Sequence, residues 1–261
     1  MLFRSLHSIG NPNLVDSIVS SRPFRAPHHT ASRVSIIGGG PKARPGEISL
    51  AHNGVLFLDE ILEYPRSVLE ALRQPLEDHS ITISRASQKY KYPARFLLVA
   101  TMNPCPCGYY GDAEKNCTCT SSQILNYQKR LSGPLLDRID MTVNVSRVNH
   151  GLLLQNKPLS TSQHLKITES IQQALRLQRQ RFEGSEKHNG SLKSPEIDHY
   201  ARLSPEAKNL LIKAAKSLDL STRSYFKVIK VARTIADLEA SNTIDAPHIA
   251  ESLQYRQIQH S

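Results

Sequence analysis

One short stretch, residues 54–60, places the strongest constraint on how this chain can fold. It reads Gly-Val-Leu-Phe-Leu-Asp-Glu, so that four consecutive apolar residues are followed directly by two carboxylates. Such a run is typical of a strand buried on both faces of a parallel sheet. The carboxyl end of that strand would carry Asp59 and Glu60 to the edge at which open α/β sheets bind their ligands.

The two carboxylates allow two interpretations. In nucleotide hydrolases one acid holds Mg²⁺ and another orients the attacking water, so Asp59 and Glu60 could divide these roles in the manner of Walker-B acids. The alternative is a solvated strand end that binds nothing. The order of the residues, with both acids directly after an apolar run, favours the magnesium interpretation.

A second buried strand is predicted over residues 96–100, and Asn103 follows it. The segment 65–74 between the two apolar runs has helical spacing, which indicates a βαβ arrangement with parallel strands. Asn103 would then leave its strand at the same sheet edge as Asp59. Two further patterns alternate: residues 81–85 and 90–92 predict a hairpin, and residues 141–145 predict another strand.

Residues 38–46 form a glycine-rich basic loop, but they do not form a phosphate-binding loop. That motif needs glycine immediately before lysine and serine or threonine immediately after it, whereas Pro41 and Ala43 flank Lys42. No other stretch has the pattern G-x-x-x-x-G-K-[ST]. The segment 22–30 concentrates two arginines and two histidines, Arg22, Arg25, His28 and His29. It could contact phosphate or a neighbouring subunit, or it could be a solvated extended segment.

Four cysteines, the whole cysteine content of the chain, follow Asn103 in the pattern C-x-C, nine residues, C-x-C. Paired thiols at such spacing in a cytosolic protein favour a metal over disulfides. A four-cysteine zinc knuckle is one interpretation. A cysteine-rich loop without metal is the other, because C-x-C is tighter than the usual C-x₂-C. The four residues are Cys105, Cys107, Cys117 and Cys119.

The remainder of the chain is predicted to be helical. We expect a first domain over residues 1–150, a polar linker over 151–162 and a helical domain over 163–261. Ser204 and Ser221 are predicted N-caps of two helices. Arg223 falls in the first turn after Ser221, where the helix dipole disfavours a cation, so it either reaches for an anion or is solvated.

Composition limits the class of partner. The 261 residues contain 33 Lys and Arg against 23 Asp and Glu, a formal charge of +10, which favours phosphate-bearing partners such as nucleotides or nucleic acid. No apolar run approaches the roughly 20 residues that a transmembrane helix needs, and no signal sequence is recognisable. A cytoplasmic protein without membrane contact is therefore expected.

Seven blocks of sequence resemble the ComM/YifB branch of the magnesium-chelatase-like AAA+ ATPases, and together they extend over almost the whole chain. They are RPFRAPHHT at residues 22–30, PGEISLAH at 45–52, GVLFLDE at 54–60, LRQPLE at 72–77, NPCPCG at 103–108, SGPLLDRID at 132–140 and VARTIADL at 231–238. The resemblance implies an AAA+ core with a parallel sheet, incomplete at its N-terminus, followed by a helical lid domain.

The resemblance also implies roles for individual residues, with ATP and Mg²⁺ as cofactors. Asp59 would hold Mg²⁺ and Glu60 the hydrolytic water, and Asn103 would be the sensor 1 residue that places that water against the γ-phosphate. Arg138 resembles the arginine finger that completes the site of an adjacent subunit. Arg223 resembles the sensor 2 arginine of the lid. A finger of this kind requires a ring, which the family implies to be hexameric.

One departure from the family pattern affects the expected activity. Family members carry a Walker-A lysine upstream of the segment that residues 1–10 resemble, and before it a domain with a Lon-type protease fold. We therefore expect the C-terminal part of such a protein, which binds ATP poorly until a missing N-terminal half or split-gene partner supplies the phosphate loop. The expected function is that of a motor acting on DNA. The alternatives are a non-enzymatic module that binds nucleic acid or a protein partner, and a magnesium-chelatase subunit.

Overall fold

A computed structural model describes residues 21–84, 88–112, 114–145, 161–185 and 187–256. The chain divides into two compact units, Met1–Arg138 and Ile139–Ser261. The first is mixed α/β and the second is helical, as the sequence predicts. The division falls before residue 150, where we expected the first domain to end. Most of the expected linker, 151–160, lies outside the described residues.

The first unit contains short strands and helices that alternate along the chain. The strands are β1 Phe24–Arg25, β2 Gly38–Gly39, β3 Arg44–Pro45, β4 Val55–Leu58, β5 Ser80–Ser84, β6 Lys89–Pro93 and β7 Leu97–Ala100. The helices are α1 Arg33–Ile37, α2 Glu47–Leu50, α3 Arg66–Ala71, α4 Arg73–Asp78, α5 Ser121–Gln128 and α6 Gly133–Leu136, with a 3₁₀ turn at Ile61–Glu63.

A three-stranded parallel sheet in the order β1-β4-β7 positions the candidate site. Strand β4 pairs in parallel with β7 from Val55 opposite Leu97 to Leu58 opposite Ala100, which confirms the predicted βαβ arrangement. Strands β5 and β6 form the predicted antiparallel hairpin. The chain bends at Leu72 between α3 and α4, so Pro75 lies in the first turn of a new helix, where its missing N–H costs nothing.

The central strand β4 is anchored in the core of the first unit. Leu56 and Leu58 are fully buried against the 3₁₀ turn and α3, and each such side chain contributes about 1.5–3 kcal/mol relative to an exposed one. Strand β1 is fixed to α2 by a two-bond ion pair in which Arg25 donates to both Glu47 carboxylate oxygens, at 2.5 and 2.7 Å. Arg25 therefore has a structural contact within its own chain.

Two expectations about strands are wrong. Residues 96–100 predict a buried strand, but Leu97 is 62% and Val99 40% exposed. Both alternate with Leu98, which packs against the core, and so lie on the opposite face of the sheet. Residues 141–145 are not a strand either. The N–H of Thr142 donates to the carbonyl of Tyr255 instead of to a sheet, and no described strand lies beside this segment.

The second unit is built from helices and a 3₁₀ turn at Asn189–Ser191. The helices are α7 Thr161–Arg181, α8 Ser194–Tyr200, α9 Pro205–Ser217, α10 Thr222–Leu238 and α11 Ala246–Gln254. Ser204 and Ser221 cap α9 and α10 as predicted, because each hydroxyl accepts the N–H three residues ahead. Among the described residues, every helix is too short or too polar to cross a bilayer.

A buried ionic cluster fastens α7 to α10. Asp237, which is fully buried, accepts hydrogen bonds from both arginines of the cluster, Arg181 and Arg233. Asn189 donates to the same carboxylate at 2.8 Å. Arg233, only 1% exposed, uses its remaining donors on the carbonyls of residues 241 and 242. Because the donors and acceptors match, the cluster offsets the large cost of burying its charges.

Replacing Asp237 by asparagine is expected to lower the free energy of unfolding of the second unit by about 3–5 kcal/mol, because two arginines would keep their burial and lose their counter-charge. Urea unfolding followed by circular dichroism measures the change. Asp219→Asn is the matched control: Asp219 is exposed, and asparagine tolerates its left-handed backbone. A loss for Asp237→Asn no larger than that for Asp219→Asn would contradict a stabilising role for the cluster.

Candidate active site and metal centre

The carboxyl ends of β4 and β7 bring two acids and a hydroxyl together. Asp59 follows β4 directly, and Thr101 follows β7 at the same level of the register. The Thr101 hydroxyl donates to Asp59 Oδ1 at 2.5 Å and accepts the Glu60 N–H at 2.9 Å. One side chain on the neighbouring strand therefore orients Asp59 and fixes the backbone of Glu60, and both carboxylates remain exposed.

Glu60 has a backbone conformation that is uncommon for a residue other than glycine. Its φ of 49° and ψ of 54° are left-handed, and the chain turns there from β4 into the 3₁₀ turn. The next N–H, of Ile61, donates to the Thr101 carbonyl at 2.9 Å. Such conformations persist where surrounding contacts hold them, and they cluster at functional sites.

Asn103 lies at the same edge of the sheet. It is exposed and comes two residues after Thr101, so the parallel pairing of β4 and β7 places it where the sequence predicts. Its side chain has the neutral donor and acceptor groups that could hold a water molecule beside a carboxylate.

The segment that follows β1 also reaches this region, through Tyr64. The Tyr64 hydroxyl donates to the Pro27 carbonyl at 2.5 Å, and the His29 ring lies edge-on to the tyrosine at 6.4 Å between centroids. Burial, and then the charge of Asp59, raise the pKa of Tyr64. His28 contacts Thr30 through Nδ1 at 2.8 Å. The predicted role of this segment in binding phosphate or a subunit stays a prediction.

The two candidate arginines lie in different units. Arg138 is the last residue of the first unit, where Nη1 donates to the Pro134 carbonyl at 2.6 Å and Nη2 to Glu77. Arg223 is exposed in the first turn of α10 in the second unit. Their predicted roles as arginine finger and sensor 2 stay predictions.

The four cysteines form a compact cluster in the loop between β7 and α5. Their sulfur atoms all lie within 4.8 Å of one another, and three of the distances, among Cys105, Cys107 and Cys117, are 3.3, 3.5 and 3.7 Å. A tetrahedral Zn²⁺ with Zn–S bonds of about 2.3 Å sets its sulfurs about 3.8 Å apart. The donor set and the spacing therefore fit zinc.

Backbone N–H groups support the sulfurs of this cluster. The N–H of Tyr110 donates to Cys105 Sγ at 3.3 Å. Hydrogen bonds from the N–H groups of Tyr109 and Thr118 lower the pKa of the Cys107 thiol to about 5, whereas burial and the hydrogen bond with Cys107 raise the pKa of Cys117 to about 12. Thiolates are the form in which cysteine binds metals.

Helix α5 closes the cysteine loop at both of its ends. Thr120, directly after Cys119, caps α5 in a capping box with Gln123. Pro104, the residue after Asn103, is held at the other end of the helix, where the Gln128 side-chain amide donates to its carbonyl at 3.0 Å. Tyr127 beside Gln128 is buried against Glu63, and burial with that carboxylate raises the pKa of Tyr127 to about 12.

Sequence reasoning missed three residues of this region, Thr101, Tyr64 and Gln128. Thr101 could have been found, because it follows its apolar run just as Asp59 follows β4, and parallel strands align such positions. Nothing in the local pattern of Tyr64 or Gln128 indicates their contacts, since each bonds to a carbonyl that is remote in sequence.

Comparison with known protein families finds two matching models that together cover most of the chain. Residues 2–153 match the family "Magnesium chelatase, subunit ChlI", and residues 161–256 match "Magnesium chelatase, subunit ChlI C-terminal". The first match ends at residue 153 and the second begins at residue 161, both within the region 151–162 where the sequence predicts a linker.

Individual relatives agree with the family models. Over 235 residues, 90% of this chain and 45% of the relative, the chain is 46% identical to the competence protein ComM of Haemophilus influenzae. It is 42% identical to the uncharacterized protein YifB of Escherichia coli, over 96% of this chain and 48% of the relative. A more distant match, 24% identical over 80% of this chain and 25% of the relative, is the zygotic DNA replication licensing factor mcm6-B of Xenopus laevis. The chain spans about half the length of its nearer relatives.

Replacing Thr101 by valine is expected to lower the free energy of unfolding of the first unit by about 1 kcal/mol, because the variant keeps the shape and loses both hydrogen bonds. Thr101→Ser keeps the hydroxyl and serves as the control. Urea unfolding measures stability, and hydrogen exchange of the Glu60 amide reports the bond directly. Equal exchange rates of the Glu60 amide in the valine variant and the unaltered chain would exclude the hydrogen bond from this amide to the Thr101 hydroxyl.

Proposed function

Because this chain belongs to the magnesium chelatase subunit ChlI family, we propose that it contributes part of the nucleotide site of an AAA+ ATPase of the ComM/YifB type. The observation that carries the proposal is the alignment of β4 with β7. That register sets Asp59 and Glu60 beside Thr101, with Asn103 on the same edge. Paired acids next to a neutral polar residue at the ends of parallel strands suit the hydrolysis of a phosphoanhydride.

Each residue of this edge has a distinct role in the proposal. Asp59, oriented by the Thr101 hydroxyl, would hold Mg²⁺, which when bound neutralises charge on the β- and γ-phosphates. Glu60 would orient the attacking water, and its backbone is fixed by the Thr101 hydroxyl. Asn103 would hold the same water from the neighbouring strand.

The site requires groups from other subunits, so we infer that the chain acts in a ring. By its resemblance to the family, we propose that this ring is hexameric and cytoplasmic. Arg138 would act on nucleotide bound by an adjacent subunit, and Arg223 would contact the phosphates from the second unit. DNA is the proposed substrate. The names of two relatives, a competence protein and a DNA replication licensing factor, agree with it, and so does the +10 charge.

The phosphate cradle is the largest component that the sequence does not provide. The sequence contains no G-x-x-x-x-G-K-[ST] pattern, which is the motif that forms such a cradle. We propose that a further polypeptide segment supplies the cradle and docks along β7. Among the described residues, that strand pairs on one side only, which leaves an edge of N–H and C=O groups that another strand can cover. The exposed Leu97 and Val99 offer an apolar surface on the sheet face beside this edge.

For the cysteine cluster we propose a structural zinc ion. All four ligands would be protein thiolates, which leaves no open position for catalysis. The ion would hold the loop that begins just after Asn103 and ends at α5. This proposal is independent of the nucleotide site and has its own test.

A second candidate function is nucleic-acid binding without catalysis. It is favoured by the +10 charge together with the missing phosphate loop. A magnesium-chelatase subunit in the strict sense has only the family name in its support, whereas ComM and YifB are relatives at 46% and 42% identity.

In an assembly with a polypeptide that provides the phosphate loop, Glu60→Gln is expected to reduce ATP turnover by about 10²- to 10⁴-fold and to leave ATP binding intact, because glutamine cannot accept the proton of the water. Glu63→Gln is the matched control, since Glu63 pairs with Arg130 at 3.5 Å and has no proposed role in hydrolysis. Full turnover in Glu60→Gln would remove Glu60 from the mechanism. Salt-dependent DNA binding by an assembly that does not hydrolyse ATP would favour the second candidate.

The purified reduced chain is expected to contain about one equivalent of zinc, since the four sulfurs complete a tetrahedral site. Elemental analysis measures it, and Cys107→Ser is expected to reduce the content strongly. Substituting Co²⁺ should give the absorption bands of a tetrahedral thiolate site. Less than about 0.2 equivalents in protein with reduced thiols would contradict the site.

A further inference from the structure

An ion pair between Glu77 and Arg138 joins two of the motif blocks, LRQPLE at 72–77 and SGPLLDRID at 132–140. Arg138 Nη2 donates to Glu77 Oε2, and Nη1 donates to the Pro134 carbonyl at 2.6 Å. Glu77 lies near the end of α4 and Arg138 just after α6. Elements far apart in sequence are therefore connected through the guanidinium proposed to act between subunits.

The contacts keep Arg138 withdrawn against its own subunit. Its side chain is only 14% exposed, whereas that of Glu77 is 44% exposed. Nε is buried and has no hydrogen-bond partner among the described residues. Two of the five N–H donors of the guanidinium are used in these contacts, so the group cannot move outward to a phosphate of another subunit unless both bonds break.

The surroundings allow the guanidinium to leave. Glu77 and Arg138 line a cavity of about 530 Å³ that also contains further side chains of both charges, among them Arg33, Glu70 and Arg73. If the Arg138 guanidinium leaves Glu77, other carboxylates that line the cavity, such as that of Glu70, remain nearby. Because the Glu77 side chain is 44% exposed, water screens the pair from that side and a competing anion can reach it.

We propose that Glu77 is the positioning residue of Arg138: it holds the guanidinium in a resting position until phosphate of a neighbouring subunit's nucleotide competes for it. The inference rests on the proposed function, since it assigns Arg138 a partner in the adjacent subunit. The resting contact itself lies entirely within the first unit and can be tested without nucleotide. Glu77 touches no reacting atom and acts only through Arg138.

The first experiment measures the reactivity of Arg138 in the full chain with an arginine-specific dicarbonyl reagent, followed by peptide mass spectrometry. Glu77→Gln and Glu77→Ala are expected to accelerate modification of Arg138 by about 1.5-fold to fivefold, the range for release from a partly exposed ion pair. Glu70→Gln is the matched control, because Glu70 pairs with Arg73 at 3.0 Å beside the same cavity. It should accelerate modification of Arg73 alone. Equal Arg138 rates in the unaltered chain and both Glu77 variants would overturn the proposal.

The second experiment uses the assembly that hydrolyses ATP. Release of Arg138 in Glu77→Gln is expected to raise kcat about twofold or more with KM unchanged, because a larger fraction of guanidinium groups can reach the neighbouring site. A variant that also carries Arg138→Ala should behave as Arg138→Ala alone. A kcat for Glu77→Gln that does not rise, while Arg138→Ala lowers turnover, would overturn the proposal. If Arg138→Ala leaves turnover unchanged, the proposed role of Arg138 fails, and the role of Glu77 fails with it, even where the reagent shows the resting contact.

Discussion

The parallel pairing of β4 with β7 is the interaction on which the rest of the first unit depends. Because Leu58 lies opposite Ala100, the residues that follow the two strands, Asp59 and Thr101, are neighbours. A slip of one residue would turn the side chains of β7 to the opposite face and remove the hydroxyl from both acids. The buried leucines of β4 hold the central strand in place, so the geometry of an exposed site is set by the packing of a core that contacts no ligand.

The cysteine loop extends the same constraint beyond the sheet. Strand β7 ends at Ala100, Asn103 follows, and Pro104 is then tied to the end of α5 by Gln128. The four cysteines close the loop on itself before Thr120 starts that helix. Asn103 thus lies between a hydrogen-bonded strand and a loop whose first residue is tied to α5, and both restrict its backbone. Loops have few buried contacts and are therefore mobile, so a polar residue on a loop keeps a fixed position only where contacts such as these anchor it.

Sequence patterns predict the parts of this protein whose causes are local. The apolar run of β4, the caps Ser204 and Ser221 and the spacing of the four cysteines each lead to the observed element or cluster. The failures come from causes that are not local. Alternation over residues 141–145 predicts a strand, but a strand also needs a neighbour, and here the Thr142 N–H donates to a carbonyl near the C-terminal end of the second unit. The ion pair of Glu77 with Arg138 is invisible to any window of sequence because 61 residues separate its partners.

Two ion pairs of similar chemistry differ in what they can do because of burial. Asp237 and Arg233 are excluded from water, and every rearrangement would leave an unpaired charge in the interior, so this cluster can only hold its helices together. In the pair of Glu77 with Arg138 the carboxylate is 44% exposed, so water and a competing anion can reach it. Arg181 in the first cluster and Arg138 in the second pair are similarly exposed, at 18% and 14%. The exposure of the carboxylate, 0% for Asp237 and 44% for Glu77, therefore separates a structural contact from one that can be exchanged.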